Sequence, residues 1–167
     1  MFEVRNGIGI DTHAFDVDRG VGNHSIMLGG VAIPSQYAIK AHSDGDVLLH
    51  SITDAMLGAI SYGNIGVHFP SSDKRLVGVS SKVFVDFAFD ALSEKGWKVV
   101  NIDSTIICEK PRLMPYSHAM VKSIAAMLGL GDLSRVSVKA TTNEGLGYIG
   151  RCEAISVYTI CTIQSAA

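Results

Sequence analysis

The chain alternates between segments in which apolar residues recur at every second position and segments in which they recur every three or four positions. The first pattern is typical of strands and the second of helices. Strand patterns cover residues 4–12, 25–34, 97–109, 135–140 and 154–163, with a Gly-Gly irregularity inside 25–34. Helical patterns cover residues 43–61, 80–95 and 116–128, and a polar loop without periodicity covers 62–75. This mixed order predicts an α+β fold, an α/β sandwich in which helices cover one face of a mixed sheet.

Composition limits the possible functions of the chain. Its 167 residues are enough for one domain with a substantial core, so we expect a single domain over residues 1–167. The net charge of −2 gives no electrostatic support for a nucleic-acid partner. No apolar stretch approaches the ~20 residues of a membrane span. The start, "MFEVRNG", resembles neither a signal peptide nor a transit peptide, so we expect a cytoplasmic, bacterial protein whose three cysteines are reduced core thiols.

A possible metal site begins in "IGIDTHAF", residues 8–15. Asp11 and His13 are two positions apart on a predicted strand, which places them on one face with Cβ atoms about 7 Å apart. On the first predicted helix, His50 lies four residues after Asp46 and four before Asp54, on one helix face. Together with Asp11 and His13, His50 completes three ligands and leaves the fourth tetrahedral position of a zinc ion open, as in catalytic zinc sites.

The surroundings of His50 allow two interpretations. Asp46 or Asp54 accepts the second ring N–H of His50 if the histidine binds zinc. Otherwise, Asp46 forms a capping arrangement with Ser43, and His50 is an ordinary surface histidine. The predicted N-cap of this helix is Ser43 or Asp44.

A second cluster lies in "VKATTNEGLGYIGR", residues 138–151. It contains a literal G-x-G-x-x-G, but only 17 residues follow it, too few for the βαβ unit of a dinucleotide-binding domain. Thr141 and Thr142 offer hydroxyl donors to phosphate oxygens, and Arg151 offers a bidentate contact. Glu144 fits beside such an anion only if a cation lies between them, which favours Mg²⁺ held by one carboxylate and substrate phosphates.

Six stretches in this order resemble the family of 2-C-methyl-D-erythritol 2,4-cyclodiphosphate synthases, of the non-mevalonate isoprenoid pathway. They are "GIDTHAF", "LGGVAIP", "AHSDGDVLLHSITDAMLGA", "NIGVHFP", "KPRLMP" and "VKATTNEGLGYIGR". The resemblance covers residues 7–163. It implies a homotrimer of ferredoxin-like subunits, with active sites between neighbours and an apolar central cavity that can hold isoprenoid diphosphates.

The resemblance also implies roles for individual residues. Zn²⁺ would be held by Asp11, His13 and His50, and Mg²⁺ or Mn²⁺ would be held by Glu144 together with the substrate diphosphate. His42 and Thr142 would be the catalytic residues that stabilise the transition state. The implied substrate contacts are Asp11, Thr12, His13, His42, Ser43, Asn64, Ile65, Gly66, Phe69, Pro70, Ser71, Ser72, Asp73, Cys108, Glu109, Lys110, Pro111, Arg112, Leu113, Met114, Ala140, Thr141, Thr142, Asn143, Glu144, Tyr148 and Arg151.

The implied reaction is intramolecular. The 2-phosphate of 4-diphosphocytidyl-2-C-methyl-D-erythritol 2-phosphate attacks the β-phosphorus, releases CMP and closes a cyclic diphosphate. Because the attacking phosphate oxygen is already ionised at neutral pH, the chain needs no activated serine or cysteine. Two alternatives remain open: another zinc-dependent phosphohydrolase or lyase, and a non-catalytic trimer that binds isoprenoids.

The sequence departs from the family pattern at a few positions. Asn64 stands where aspartate is usual at the ribose, Ser71 and Ser72 replace Asp-Thr, Arg112 replaces a frequent lysine, and Cys152 replaces a frequent glycine. None of these is a predicted metal ligand, so the departures concern recognition of the ribose and the diol.

Overall fold

The structure, a computed structural model, describes residues 3–70 and 72–165. Its main sheet has four strands in the order β1-β6-β4-β5, and a separate hairpin pairs β2 with β3. The strands are β1 (Val4–Ala14), β2 (His24–Leu28), β3 (Val31–Ser35), β4 (Trp97–Ile107), β5 (Val136–Thr141) and β6 (Ala154–Ser165). Strand β6 is antiparallel to both β1 and β4, whereas β5 runs parallel to β4. The sheet is therefore mixed, as the sequence pattern predicts.

Three long helices cover one face of this sheet. The helices are α1 (Val47–Ala59), α2 (Ile65–His68), α3 (Lys82–Glu94), α4 (Ser117–Met127) and α5 (Gly147–Gly150). Helix α1 packs on β1 and β6, α4 packs on β5, and α3 packs against α1. The core between helices and sheet includes Leu48, Ile52, Ile102, Ile106 and Val157, all fully buried. The predicted α+β architecture, with helices on one face, is confirmed.

Two glycines on β1 allow α1 to lie directly against the strand. A Cβ atom at Gly7 would lie 2.0 Å from the backbone oxygen of Ala55, and one at Gly9 would lie 1.9 Å from that of Ser51. Real atoms cannot approach so closely, so the strand accepts the helix only because both positions lack a side chain. The next residues on the same face of β1 are Asp11 and His13, and this contact therefore brings them beside His50 of α1.

The prediction of one strand over 25–34 is wrong. Gly29 and Gly30 have φ angles of 60° and 75° and form the turn of the β2–β3 hairpin. Their N–H groups donate to the two carboxylate oxygens of Asp46 at 2.9 and 2.7 Å. The Gly-Gly pair supplies positive φ values that other residues rarely adopt, so the chain reverses direction here.

Asp46 also corrects the predicted start of the first helix. Helix α1 begins at Val47 with Asp46 as its N-cap, and the Asp46 carboxylate accepts the N–H of Leu49 at 3.0 Å. Ser43 and Asp44, the predicted caps, precede the helix. Burial raises the pKa of the Asp46 carboxyl, although the three backbone N–H donors oppose this. A fully buried carboxylate therefore joins the hairpin turn to the start of α1.

The other face of the sheet carries exposed apolar side chains. Ile8 is 62% exposed, Ile10 51%, Ile160 48% and Tyr158 42%. The β1–β6 register pairs Ile8 with Ile160 and Ile10 with Tyr158, so these four side chains form one patch, which we call the open-face patch. Isolated apolar side chains on a surface are ordinary, but a contiguous patch of this kind is typical of an interaction surface.

The predictions on membrane spans and on the cysteines can be compared with the structure. Within residues 3–70 and 72–165, no helix is long and apolar enough to cross a membrane. Cys108, Cys152 and Cys161 are free thiols. Cys108 and Cys161 are buried as predicted, whereas Cys152 is half-buried, so the prediction of a core position is wrong for Cys152.

Candidate active site

The side chains of Asp11, His13 and His50 converge at one point on the helical side of β1. Nε2 of His13 lies 2.9 Å from Oδ2 of Asp11, and Nδ1 of His50 lies 3.0 Å from the same oxygen. The two ring nitrogens are 3.2 Å apart. One ligand atom from each residue lies within 4.8 Å of the others, which makes the group a possible metal-binding site. The structure therefore brings together the three ligands that the sequence predicts.

The chemistry of these three atoms fits a divalent cation such as Zn²⁺. Burial would raise the pKa of the Asp11 carboxyl, but the contacts with His13 and His50 outweigh burial and hold that pKa well below its usual range. Asp11 is therefore an anion at neutral pH, as a metal ligand must be. Two imidazoles and one carboxylate also leave a tetrahedral ion with one open position.

The second ring nitrogen of His50 does not contact Asp46 or Asp54, so that prediction is wrong. Oδ1 of Asp54 accepts the N–H of Ile65 at 2.7 Å instead. Nε2 of His50 lies 2.9 Å from Oγ of Ser81 and 3.3 Å from Oγ of Ser43. Ser81 is 31 positions away in sequence, and no local periodicity connects it with α1.

A cavity of about 160 Å³ lies beside the metal ligands. Its lining residues are His13, His42, Ser43, His50, Ile65, Phe69, Leu76 and Phe84. His42 is exposed and precedes α1, whereas Ile65 and Phe69 come from α2 and the residue after it. The segment that the sequence presents as an aperiodic polar loop thus contains a helical turn that covers part of the cavity.

A larger pocket of about 390 Å³ lies at the opposite edge of the sheet, beside β5. It is lined by Cys108, Glu109, Pro111, Arg112, Leu113, Met114, Pro115, Ala140, Thr141 and Thr142. Apart from Pro115, these residues are all among the substrate contacts that the family resemblance implies. An adjoining cavity of about 720 Å³ shares Glu109, Pro111, Arg112 and Thr142 with this pocket. Its other walls include Gly22, Asn23 and Pro34 of the β2–β3 region, which the sequence did not indicate. Burial raises the pKa of the Cys108 thiol to about 12, so this cysteine is no nucleophile at neutral pH.

The loop 142–146 after β5 is held by a neighbouring carboxylate. Oε1 of Glu109 accepts the N–H of Asn143 at 2.9 Å and that of Gly145 at 3.2 Å. Glu144, between them, has a φ of 53° and accepts a hydrogen bond from the Thr142 hydroxyl at 2.9 Å. Glu109 therefore fixes the turn on which the exposed Glu144 carboxylate is presented.

Tyr148 lies on α5, and Arg151 directly follows this helix. The Tyr148 hydroxyl lies 3.4 Å from Oγ of Ser156, which in turn lies 2.7 Å from Oγ1 of Thr12. The Arg151 guanidinium donates to both carboxylate oxygens of Glu153 at 2.7 and 3.0 Å. Arg151 is thus engaged within the chain, although the pair is exposed and such pairs are weak.

The 64–73 segment supplies the remaining predicted contacts. Asn64 is the N-cap of α2, and its side-chain oxygen accepts the N–H of Val67 at 3.2 Å. Asp73 forms a bidentate contact with Arg75, which lowers the pKa of the Asp73 carboxyl to about 2. Gly66, Pro70 and Ser72 lie on the same surface segment, and Ser71 lies outside the described residues.

The two parts of the predicted site are not adjacent within one chain. Asp11 pairs with Val157, Val157 with Ile106 and Ile106 with Ala140, which places Asp11 and Ala140 in one row across the four strands. Three inter-strand spacings separate them, about 14 Å. The metal ligands therefore lie at the β1 edge, and the pocket with Thr142 and Glu144 lies at the β5 edge.

Comparisons with known proteins give one family. The YgbB family matches residues 4–164. The 2-C-methyl-D-erythritol 2,4-cyclodiphosphate synthase of Alcanivorax borkumensis is 46% identical and covers 99% of both chains. The synthase of the same name from Xylella fastidiosa is 50% identical over 94% of this chain and 86% of its own.

Comparison with solved structures gives the same family. IspF of Plasmodium falciparum in complex with CDP superimposes with a TM-score of 0.84 at 31% identity, over 98% of this chain and 97% of that chain. The bifunctional IspDF of Campylobacter jejuni gives a TM-score of 0.91 at 39% identity, over 99% of this chain and 43% of that one. The chain therefore belongs to the YgbB family, and over nearly its whole length it is similar to proteins named 2-C-methyl-D-erythritol 2,4-cyclodiphosphate synthase.

Proposed function

We propose that this protein is a metal-dependent cyclodiphosphate synthase. It converts 4-diphosphocytidyl-2-C-methyl-D-erythritol 2-phosphate into 2-C-methyl-D-erythritol 2,4-cyclodiphosphate and releases CMP, in isoprenoid precursor biosynthesis in the bacterial cytoplasm. The observation that carries this proposal is the convergence of Asp11, His13 and His50 in a chain of this family. A site with these ligands leaves one position for a phosphate oxygen.

The candidate metal ligands, together with His42 and Thr142, are the groups that would act on the diphosphate. Asp11, His13 and His50 would hold Zn²⁺, and Glu144 would hold Mg²⁺ or Mn²⁺. When bound, such ions draw charge away from phosphate oxygens and stabilise the negative charge that builds up during transfer. His42 lines the same cavity as the zinc ligands, where its ring donates to a phosphate oxygen. Thr142, whose hydroxyl donates to Glu144 in this structure, would turn that donor to a phosphate oxygen when the substrate is bound.

The pocket at the β5 edge suits the cytidine. It combines apolar walls from Leu113 and Met114 with backbone and hydroxyl groups of the 140–142 segment. Sites of this kind, mainly apolar with a few polar groups, are typical of small-molecule binding. The relatives of known structure with bound CDP support this assignment.

The chemical step needs both ends of the substrate held together. The 2-phosphate must approach the β-phosphorus in line with the departing CMP oxygen. Holding the two groups in that geometry lowers the activation barrier by several kcal/mol, and by about 7 kcal/mol or more in the best cases. The protein does not activate a nucleophile. It folds a polyanion back on itself and offsets its charge.

We further propose a homotrimer with active sites between neighbouring subunits. The zinc ligands and the nucleotide pocket lie about 14 Å apart within one chain, measured across three strand spacings. A neighbour that brings its own β5 edge to the β1 edge of this chain would unite the two parts. The open-face patch supports this assembly, because Ile8, Ile10, Tyr158 and Ile160 leave water when sheets face one another around an axis. The same side chains would line a central apolar cavity able to hold an isoprenoid diphosphate.

The direct test is CMP release from the diphosphocytidyl substrate, with the product identified by mass, with and without chelator. We expect CMP and a cyclic diphosphate, both abolished by chelator. CMP with an open-chain product would indicate a hydrolase on this scaffold. No CMP from a metal-replete oligomer would instead support a non-catalytic isoprenoid-binding protein.

A further inference from the structure

The hydroxyl of Ser81 is used in an unusual way. Ser81 is the N-cap of α3, a position where serine normally accepts a backbone N–H from the first helical turn. Its hydroxyl makes no such bond, and the residue is fully buried. Oγ instead lies between Oδ1 of Asp44 and Nε2 of His50, 2.9 Å from the latter.

The direction of these hydrogen bonds follows from counting protons. An ionised carboxylate only accepts, so the single hydroxyl proton of Ser81 goes to Asp44. Asp44 also accepts the backbone N–H of Ser81 at 3.0 Å, which fixes the carboxylate against the start of α3. Ser81 Oγ then has only lone pairs to offer His50. Ser43 Oγ, 3.3 Å from the same nitrogen, is a longer contact and can accept as well as donate. A proton on Nε2 of His50 satisfies both neighbours, and we assign the proton of the neutral ring to that nitrogen.

This assignment decides the state of the other ring nitrogen. With its proton on Nε2, a neutral His50 presents a lone pair at Nδ1, 3.0 Å from Oδ2 of Asp11. Asp11 is the acceptor that competes for this proton, because a proton on Nδ1 would make the same contact a hydrogen bond to the carboxylate. Nδ1 is the atom that points at the common ligand position. We propose that Ser81 and Asp44 are positioning residues that keep the His50 proton on Nε2 and so hold Nδ1 ready for the metal ion. The proposal rests on the proposed function for the identity of that metal, but not for the protonation pattern.

The protonation pattern is tested first on the metal-free protein. In protein with ¹⁵N-labelled histidine at mildly alkaline pH, we expect the His50 Nε2 resonance at the position of a protonated nitrogen. The signal is assigned among the six histidines by its loss in His50→Asn. In Ser81→Ala, the proton moves to Nδ1, where Asp11 accepts it, and the Nε2 resonance shifts to the unprotonated position. An unchanged Nε2 resonance in Ser81→Ala overturns the proposal, whatever the protein's activity.

Zinc affinity is the second readout, measured by competition with a chromophoric chelator. Loss of an outer partner of a metal-bound histidine usually weakens binding about 10- to 100-fold, and we expect this in Ser81→Ala. Ser81→Thr keeps the hydroxyl, so we expect it to retain the zinc affinity and the Nε2 protonation that Ser81→Ala loses. If Ser81→Ala acted only by disturbing the packing of α3, the hydroxyl of Ser81→Thr would make no such difference. Ser80→Ala is the matched control, since the exposed neighbouring hydroxyl accepts only from the N–H of Lys82.

A second variant covers the case in which Ser81→Ala does not fold. Asp44→Asn places an amide beside Ser81 that donates as well as accepts, so the Ser81 proton becomes free to turn towards His50. We expect a mixture of the two His50 tautomers. A single Nε2-protonated form in Asp44→Asn, together with unchanged zinc affinity, would contradict the proposed role of Asp44. If the wild type binds no zinc, the proposed function fails. The ¹⁵N resonances of the metal-free protein still decide whether Ser81 and Asp44 set the position of the His50 proton.

Discussion

The two edges of the main sheet form their parts of the site in different ways. At the β1 edge, Asp11 and His13 on a strand meet His50 on a helix across a contact so close that Gly7 and Gly9 have no room for a side chain. At the β5 edge, Thr142 and Glu144 stand on an exposed turn held by hydrogen bonds to Glu109. The first arrangement depends on buried packing, which is rigid. The second depends on a surface loop, which adapts to its ligand.

The difference indicates which part is complete in the single chain. The three candidate metal ligands need nothing more than β1 and α1 to converge. In the proposed trimer, Thr142, Glu144 and the pocket beside β5 would meet a metal site only when another subunit brings its β1 edge to them. Changes at the two edges should therefore have separable effects: those at β1 on metal retention, and those at β5 on substrate and on the second metal.

The largest expected effect is that of His50→Ala. Removal of one of three ligands should abolish zinc retention and turnover, while the protein remains folded because His50 is not part of the hydrophobic core. Metal content after dialysis and CMP release measure this, with His118→Ala on the exposed surface of α4 as control. Full zinc stoichiometry in His50→Ala would sink the metal assignment.

The next effect concerns the strand–helix contact itself. Gly9→Ala places a Cβ atom against the backbone oxygen of Ser51 and should push α1 away from β1. We expect a loss of about 3 kcal/mol in the free energy of unfolding, the upper end for overpacked cores, together with weaker zinc binding. Urea unfolding and zinc titration measure both. Gly131→Ala, where an added Cβ meets nothing within 4 Å, is the control, and equal behaviour of the two variants would show that the close contact does not position the site.

At the β5 edge, Glu144→Gln should act on the second metal alone. The amide oxygen still accepts from Thr142, but the charge that attracts Mg²⁺ is lost. We expect activity to require roughly tenfold more Mg²⁺, equivalent to about 1.4 kcal/mol, with zinc content unchanged. Glu94→Gln, at the distant end of α3, serves as control. A Mg²⁺ titration identical to that of wild type would mean that this carboxylate has another role.

The smallest expected effect is that of Asn64→Asp. Aspartate caps α2 as well as asparagine does, so the fold should not change. A charged acceptor strengthens a hydrogen bond to a ribose hydroxyl by about 1 kcal/mol, which should lower KM about fivefold. Steady-state kinetics with unchanged kcat would support the contact, whereas an unchanged KM would place the ribose elsewhere.

Local pattern accounts for much of what sequence alone predicts here. The strand and helix periods give the α+β class, and i, i+2 spacing on a strand places Asp11 and His13 on one face. The same logic fails at Gly29 and Gly30, because an apolar run of ten residues hides a two-residue turn. It also misplaces the start of α1, where Ser43, Asp44 and Asp46 are all acceptable caps and only their contacts decide between them.

The sequence by itself indicated the α+β class, the family, and Asp11, His13 and His50 as candidate metal ligands, since these depend on periodicity, on motifs and on residue chemistry at short spacing. Only the tertiary structure decided that Asp46 joins the hairpin to α1 and that Ser81, not Asp46 or Asp54, contacts His50. It also decided that the candidate metal ligands and the pocket beside β5 lie at opposite sheet edges. Contacts between residues far apart in the chain depend on how helices pack on the sheet, and no local repeat encodes that arrangement.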